Sequence, residues 1–245
     1  MANELIRVPV AVIVANVNAA LAAKAATSTV PIVFTTGSDP VRDGLVTSLN
    51  RPSSNITGVS FVSGALAAKR LDMLRRIVPS ATTIAMLVEV DTDEAKLERQ
   101  EVEAAAHAIG QRLTIVEVLG EHEFEAAFAT IVRQGARALL VGSGPFLTSN
   151  RQRVVGLAAQ HAIPAFYPLR EYVVTGGLMS YGSSIADTYR LAGIYAGRIL
   201  KGEKPGDLPV MQASKFEFVI NLKTAKTLGL EFHPQLLATA DEVIE

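Results

Sequence analysis

Residues 31–41, PIVFTTGSDPV, change abruptly from an apolar run to small polar side chains. Thr36 and Ser38 offer hydroxyls, Gly37 lets a backbone approach a ligand closely, and N–H groups of the following turn can receive a carboxylate. Asp39 would repel an acidic ligand but could pair with an ammonium. In a second interpretation, Ser38 or Asp39 only caps the next helix. From the residues alone, both interpretations stay open: a pocket wall for a small polar molecule, and a simple turn or helix cap.

The segment 141–152, VGSGPFLTSNRQ, has the same character. Gly142 and Ser143 give a small polar turn, and Phe146 offers an aromatic face for a ligand. The segment is not a nucleophile elbow, because Gly142 directly precedes Ser143 and the Gly-x-Ser-x-Gly spacing fails. It also lacks the third glycine of a dinucleotide-binding loop. The alternative is a tight turn in which Ser149 caps the next helix.

The segment 165–182, AFYPLREYVVTGGLMSYG, is rich in tyrosine. Tyr167 and Tyr181 can stack on a planar ligand or form hydrogen bonds with it, since a buried tyrosine needs a partner for its hydroxyl. Alternatively, Tyr167 is a core residue at the end of a strand. Glu171 is interpreted as a solvated surface charge. We also count Ser60, at the end of a predicted strand, among the candidate ligand contacts.

Composition narrows the classes of function. The 245 residues are 49% hydrophobic and 19% charged with a net charge of −1, so clustered cations for nucleic-acid binding are absent. Cysteine is absent, and the four histidines have no metal-ligand spacing. We therefore predict no catalytic set, no metal site and no cofactor. The first residues do not read as a signal peptide, so the chain stays in the cytoplasm or its export signal lies outside this sequence.

Alternating strand and helix patterns predict an α/β fold with a parallel sheet covered on both faces. The predicted strands lie at residues 8–15, 31–36, 56–62, 83–89, 113–118, 138–142, 164–167 and 177–181. Between several of them, apolar residues recur with helical period, as at Phe124, Ala127, Phe128 and Ile131. Asp91 followed by Glu94 predicts a capping box for a helix near 94–109. In such sheets, ligands bind beyond the carboxyl ends of the strands.

Several segments together resemble the substrate-binding proteins of ABC transporters, in particular the subgroup associated with tryptophan and tyrosine uptake. They are PIVFTTGSDPVRDGLVTSLNRPSSNITGVS, KRLDMLRRIVPSATTIAML, GGLMSYG and AGIYAGRILKGEKPGDLPV with FEFVINLKTAKTLGL. They follow the family's order and cover nearly the whole chain. The chain begins about where the family has the third strand of its first lobe. Ala15-Asn16-Val17-Asn18 stands where the family has a glycine-rich loop.

The resemblance implies the two-lobed type I periplasmic-binding fold, with an incomplete first lobe. It places the first lobe at 1–60 plus 183–210, the second at 61–178 plus about 222–245, and crossovers near 56–62, 177–183 and 208–221. It also implies a periplasmic or lipid-anchored extracytoplasmic receptor that closes its lobes on a small molecule, and a membrane permease as partner. An amino acid is the expected ligand, with an aromatic one favoured. We expect the exposed strand 8–15 to promote dimerisation.

The candidate ligand contacts from both kinds of reasoning form one set. They are Thr36, Gly37, Ser38, Asp39, Ser60, Gly142, Ser143, Phe146, Tyr167 and Tyr181. Two other classes of function stay open at this point. One is a ligand-sensing regulatory domain of the same fold, and the other is a cytoplasmic α/β enzyme, for which the sequence offers no acid–base or nucleophile set.

Overall fold

A computed structural model describes residues 8–52, 54–61, 66–90 and 92–245. The strands are β1 (Ile13–Asn16), β2 (Ile32–Thr36), β3 (Ile56–Phe61), β4 (Thr83–Glu89), β5 (Arg112–Val118), β6 (Ala138–Val141), β7 (Ala165–Tyr167), β8 (Met179–Ser183), β9 (Met211–Ala213), β10 (Phe216–Asn221) and β11 (Glu242–Ile244). The helices are α1 (Val17–Ala26), α2 (Ala67–Ile77), α3 (Asp93–Ala108), α4 (Phe124–Arg133), α5 (Pro145–Ser149), α6 (Arg151–Gln160), α7 (Arg170–Val174), α8 (Ile185–Leu200), α9 (Leu222–Thr227) and α10 (Pro234–Leu237). Single 3₁₀ turns cover Glu121–Glu123 and Pro205–Asp207.

The chain divides into two compact units. The first unit comprises Met1–Val62 and Ser183–Lys215, and the second comprises Ser63–Gly182 and Phe216–Glu245. The lobe boundaries expected from the resemblance stay a prediction.

The first unit is built on a parallel sheet with the strand order β1-β2-β3-β9. Side chains alternate between its faces, because successive residues of a strand point to opposite sides. Ile32 and Phe34 pack into a core cluster with Ala20 of α1, whereas Val33 packs with Ala192 of α8. The apolar run of β2 is therefore buried on both faces, as a parallel strand requires.

The second unit contains a sheet with the strand order β11-β10-β8-β7-β6-β4-β5. The strands from β5 to β8 pair in parallel with their neighbours, as do β10 and β11. One core cluster joins the sheet to Leu71 of α2 and Val102 of α3. The cluster on the opposite face contains Phe128 of α4 and Val154 of α6. The predicted α/β class with parallel sheets flanked by helices is confirmed.

Some predicted boundaries were wrong. The first strand begins at Ile13 rather than at residue 8, because the chain turns around Pro9, where the Val10 N–H donates to the Val8 carbonyl. A proline also supplies no N–H to a ladder. β8 runs two residues later than predicted, at Met179–Ser183. The cap of α3 is Thr92, whose hydroxyl accepts the Ala95 N–H; Asp91 of the predicted capping box lies outside the described residues.

Candidate ligand-binding site

The parallel strands of the first unit bring polar side chains to one edge of the sheet. Thr36 at the end of β2 is in register with Ser60 of β3, and Ser60 is in register with Gln212 of β9. Asn16 ends β1 opposite Thr35 and caps α1 by accepting the Ala19 N–H. The carboxyl edge of this sheet is thus lined by hydroxyl and amide groups.

Thr36 and Ser38 belong to a hydrogen-bonded turn that follows β2. Their hydroxyl oxygens are 2.7 Å apart, and the Ser38 N–H donates to the Thr36 hydroxyl at 3.1 Å. The Ser38 hydroxyl donates to the Asp43 carboxylate. Gly37 lies between the two hydroxyl residues and is half-buried. The turn therefore fixes the directions of both hydroxyls.

Asp39 closes the next part of the same turn. Its Oδ1 accepts the N–H of Val41 at 2.8 Å and that of Arg42 at 3.3 Å. This is the capping role that the second interpretation gave to Asp39. The segment that it caps is a turn rather than the predicted helix, since residues 40–44 have no helical assignment.

Two buried glutamates explain the Gly142-Ser143-Gly144 loop of the second unit. A Cβ on Gly142 would lie 3.3 Å from the Glu98 carboxylate, and a Cβ on Gly144 would overlap the Glu89 carboxylate. Glu89 ends β4, and its Oε2 accepts the N–H groups of Phe146 at 3.0 Å and Leu147 at 3.3 Å. Glycine is thus required at position 144 by the close approach of the Glu89 carboxylate, whereas Gly142 is in a tight contact with the Leu87 carbonyl and Glu98 that a small shift could relieve.

Ser143 is held by a buried ion pair between α2 and α3. The Arg70 Nη2 lies 2.6 Å from Glu98 Oε1, and both side chains are fully buried. Glu98 accepts the Ser143 N–H at 2.7 Å and the Ser143 hydroxyl at 3.0 Å. Burial lowers the pKa of the Arg70 guanidinium, and the charge of Glu98 opposes that shift. The guanidinium stays charged because an arginine is protonated at all ordinary pH values.

The same arginine joins Ser143 to Tyr181. Arg70 donates from Nη2 to the Ser143 hydroxyl at 3.3 Å and from Nη1 to the Tyr181 carbonyl at 3.4 Å. Lys69 lies next to it and donates to the Tyr181 hydroxyl at 2.8 Å. Two of the predicted residues, Ser143 and Tyr181, are therefore brought to one place at the carboxyl edge of this sheet.

Tyr167 and Phe146 have different surroundings. Tyr167 is 1% exposed and stacks on Tyr172, with ring centroids 4.9 Å apart. Burial raises the pKa of the Tyr167 hydroxyl. This is the core position of the alternative interpretation, and the ring has no surface to offer a ligand. Phe146 is half-buried and stacks on Phe124 at 5.6 Å.

Sequence reasoning missed Lys69, Arg70, Glu89 and Glu98. A signal was present for two of them, because Arg70 lies one turn from both Ala67 and Leu74 on the buried face of α2, and Glu98 lies one turn before the buried Val102 on α3. The alternative role for Ser149 was wrong, since Asn150 stands at the N-cap of α6.

Other surface features of the described chain do not coincide with this edge. A groove of about 630 Å³ in the second unit is lined by Glu125, Asn150 and Arg153 among others, and by none of the predicted contacts. Across the described ranges, no group of three histidine, aspartate or glutamate side chains could hold a metal ion. No helix among the described residues is both long and apolar enough to cross a bilayer.

Comparison with known proteins places the chain in a family. A tyrosine-binding protein of Clostridioides difficile (strain R20291) is 27% identical over 213 residues, which are 86% of this chain and 61% of that relative. The chain thus spans less than two thirds of the length of this curated relative.

Two solved structures have the same fold over almost all of this chain. An ABC domain from Streptococcus pneumoniae in complex with L-Trp is 27% identical, with a TM-score of 0.85 over 100% of this chain and 84% of that one. A conserved domain protein from Vibrio cholerae is 26% identical, with a TM-score of 0.86 over 99% of this chain and 81% of that one. The family model described as ABC transporter substrate binding protein matches residues 1–244. The chain belongs to this family, as its sequence resemblance predicted.

Proposed function

We propose that this chain is the ligand-binding part of an extracytoplasmic receptor that delivers an amino acid to an ABC importer. The match to the substrate-binding family over residues 1–244 carries the proposal. An aromatic amino acid is favoured, since one relative is a tyrosine-binding protein and one similar structure contains L-Trp. The receptor performs no chemistry of its own. Delivery by closure of two lobes stays a prediction.

The proposed contacts lie at the carboxyl ends of parallel strands in the two sheets. From the first unit they are Thr36, Gly37, Ser38, Asp39 and Ser60, and from the second they are Gly142, Ser143, Phe146 and Tyr181. Tyr167 is left out because its ring is buried. Micromolar affinity corresponds to about 8 kcal/mol. A few hydrogen bonds to charged ligand groups, at roughly 1.5–3 kcal/mol each, supply that amount together with one aromatic contact.

Calorimetric titration of the chain against a panel of amino acids tests the proposal. We expect binding of L-tryptophan or L-tyrosine, and a loss of about tenfold in affinity for Ser38→Ala, the size of one hydrogen bond. Ser80→Ala is the matched control, because Ser80 is exposed and precedes the amino end of β4. If the folded chain binds no member of the panel, the receptor function is wrong.

The proposed partners are a membrane permease and a second copy of the chain. β1 is the outermost strand of its sheet in the described part of the first unit, and Val14 on it is 46% exposed. An uncovered strand edge favours pairing with another strand. Sedimentation should therefore show a dimer that dissociates on dilution. A monomer at every concentration would remove the dimer and leave the receptor function in place.

A further inference from the structure

Lys69 forms an unusual contact with Tyr181 in the second unit. Lys69 lies in the first turn of α2 and is exposed, and its Nζ is 2.8 Å from the Tyr181 hydroxyl. The same nitrogen lies 4.1 Å from the centroid of the Tyr181 ring. The ammonium is therefore held against both the face and the hydroxyl of one tyrosine.

The Tyr181 ring is a fixed platform. It stacks on Phe216 with centroids 6.2 Å apart and meets Phe218 edge to face at 6.5 Å. Its backbone carbonyl accepts from the fully buried Arg70 at 3.4 Å. Because both the ring and the backbone are held, Lys69 has a defined partner rather than a mobile surface position.

The positive charge of Lys69 is not neutralised in the same way as that of its neighbour. Arg70 has Glu98 at 2.6 Å, whereas Lys69 forms no ion pair with any carboxylate of the described residues. An ammonium has three N–H donors, and Tyr181 takes one of them. The Tyr181 hydroxyl accepts from Lys69, so its own proton can be donated elsewhere. The pair thus presents several donors and one net positive charge.

These donors lie on the edge of the sheet that carries the proposed ligand contacts. Tyr181 follows Ser180, which is in register with Tyr167 at the carboxyl end of β7. Arg70 contacts both the Ser143 hydroxyl and the Tyr181 carbonyl, which connects the two positions. A carboxylate has two oxygens that accept charge-assisted hydrogen bonds of this kind.

We propose that the Lys69 ammonium and the Tyr181 hydroxyl together receive the carboxylate of the bound amino acid. This proposal rests on the proposed receptor function and specifies one subsite within it. A purely structural role for Lys69 makes a different prediction, because a methionine would pack on the same ring without its charge and would leave ligand preference unchanged.

The test compares acids with their amides. L-tryptophan, L-tyrosine and the two corresponding carboxamides are titrated at pH 6, below the α-amino pKa of about 8, so that all carry an ammonium. Lys69→Met should weaken binding of the acids by about tenfold or more, the size of one charge-assisted hydrogen bond, and binding of the amides by less than about threefold. Tyr181→Phe should also lower the ratio of acid affinity to amide affinity, by a smaller factor. Lys69→Arg should restore most of the preference for the acids.

Lys226→Met is the matched control, because Lys226 is exposed on α9 of the same unit. It removes the same charge and should leave the acid-to-amide ratio at the value of the unaltered chain. An equal loss for acids and amides in Lys69→Met, or no loss for either, overturns the carboxylate subsite while the receptor function stands. If the unaltered chain binds neither acids nor amides, the receptor function falls and the subsite falls with it.

Discussion

The turn after β2 and the loop after β6 each place a serine at the carboxyl end of a parallel strand, but they hold it differently. Ser38 is held by partners two and five residues away in the sequence. Ser143 is held by Glu98, 45 residues away, and by Arg70, 73 residues away. The first serine is fixed by its own turn, whereas the second depends on two helices being packed correctly.

Because of this difference, substitutions at the two edges should affect stability and binding to different extents. The Ser38 turn is half-buried, so water can replace a hydrogen bond that is lost there. The Arg70–Glu98 pair is fully buried, so a charge that loses its partner cannot be hydrated without opening the core. On the proposed function, substitutions in the turn should therefore act mainly on ligand affinity, and substitutions in the buried pair should also lower the free energy of unfolding.

The largest effect is expected at Glu98. Glu98→Ala leaves the Arg70 guanidinium in the core without its carboxylate, which costs about 3–5 kcal/mol of unfolding free energy. Asp43→Ala in the Ser38 turn should cost about 1 kcal/mol, the value of one hydrogen bond. Urea unfolding measures the loss of unfolding free energy in each variant, and the difference between the two losses compares the two edges.

The double variant Arg70→Met with Glu98→Leu is the control for this contrast. Replacing both charges by apolar side chains removes the unpaired ion, so this variant should recover most of the loss seen in Glu98→Ala. If Glu98→Ala costs no more than Asp43→Ala, the buried pair does not organise the second edge.

The same difference between local and distant partners decided which features could be predicted from the sequence. β2, β4 and β6 were predictable because each is an apolar run that ends in small or polar residues. β7, β9 and β11 have three residues each, but only β7 was predicted, because AFY belongs to an apolar run whereas MQA and EVI each contain a polar residue. The Ser38 turn was predictable because its partners are local. Arg70 and Glu98 were missed because a charge on an amphipathic helix is ordinarily interpreted as a surface residue; their spacing placed them on the buried faces, but the partners that make burial possible are far away in sequence.

A smaller effect is expected at Gly144. Its Cβ position is occupied by the Glu89 carboxylate, so Gly144→Ala forces the β4 end and the loop apart. Overpacking of this kind costs about 1–3 kcal/mol. Gly156→Ala on α6 is the matched control, because its Cβ meets open space and alanine favours a helix by up to about 1 kcal/mol. Thermal unfolding should move in opposite directions, and a Gly144→Ala variant as stable as the parent would contradict the close approach of Glu89.

The smallest loss of unfolding free energy is expected at Glu242. This position tests whether the cost of removing a contact depends on its burial or on the sequence separation of its two residues. Arg170 donates to both carboxylate oxygens of Glu242, 72 residues away, but each side chain is more than a third exposed. Solvent screening limits such a pair to less than about 1 kcal/mol. Glu242→Gln should therefore lose far less unfolding free energy than Glu98→Ala, although its partner is more distant in sequence than the partner of Glu98.

The contribution of the Arg170–Glu242 pair to the free energy of unfolding can be identified by its dependence on pH. The hydrogen bond from Arg170 lowers the pKa of the Glu242 carboxyl in the folded chain below its ordinary value of about 4.3. The stabilisation is thus fully present above that ordinary pKa and is lost as pH falls through the folded-state pKa. The difference in unfolding free energy between the parent and Glu242→Gln should be constant from pH 7 to about pH 5 and should disappear once the pH is below the folded-state pKa of Glu242. A difference that grows on acidification, or one as large as that of Glu98→Ala, would show that burial is not what separates the two pairs.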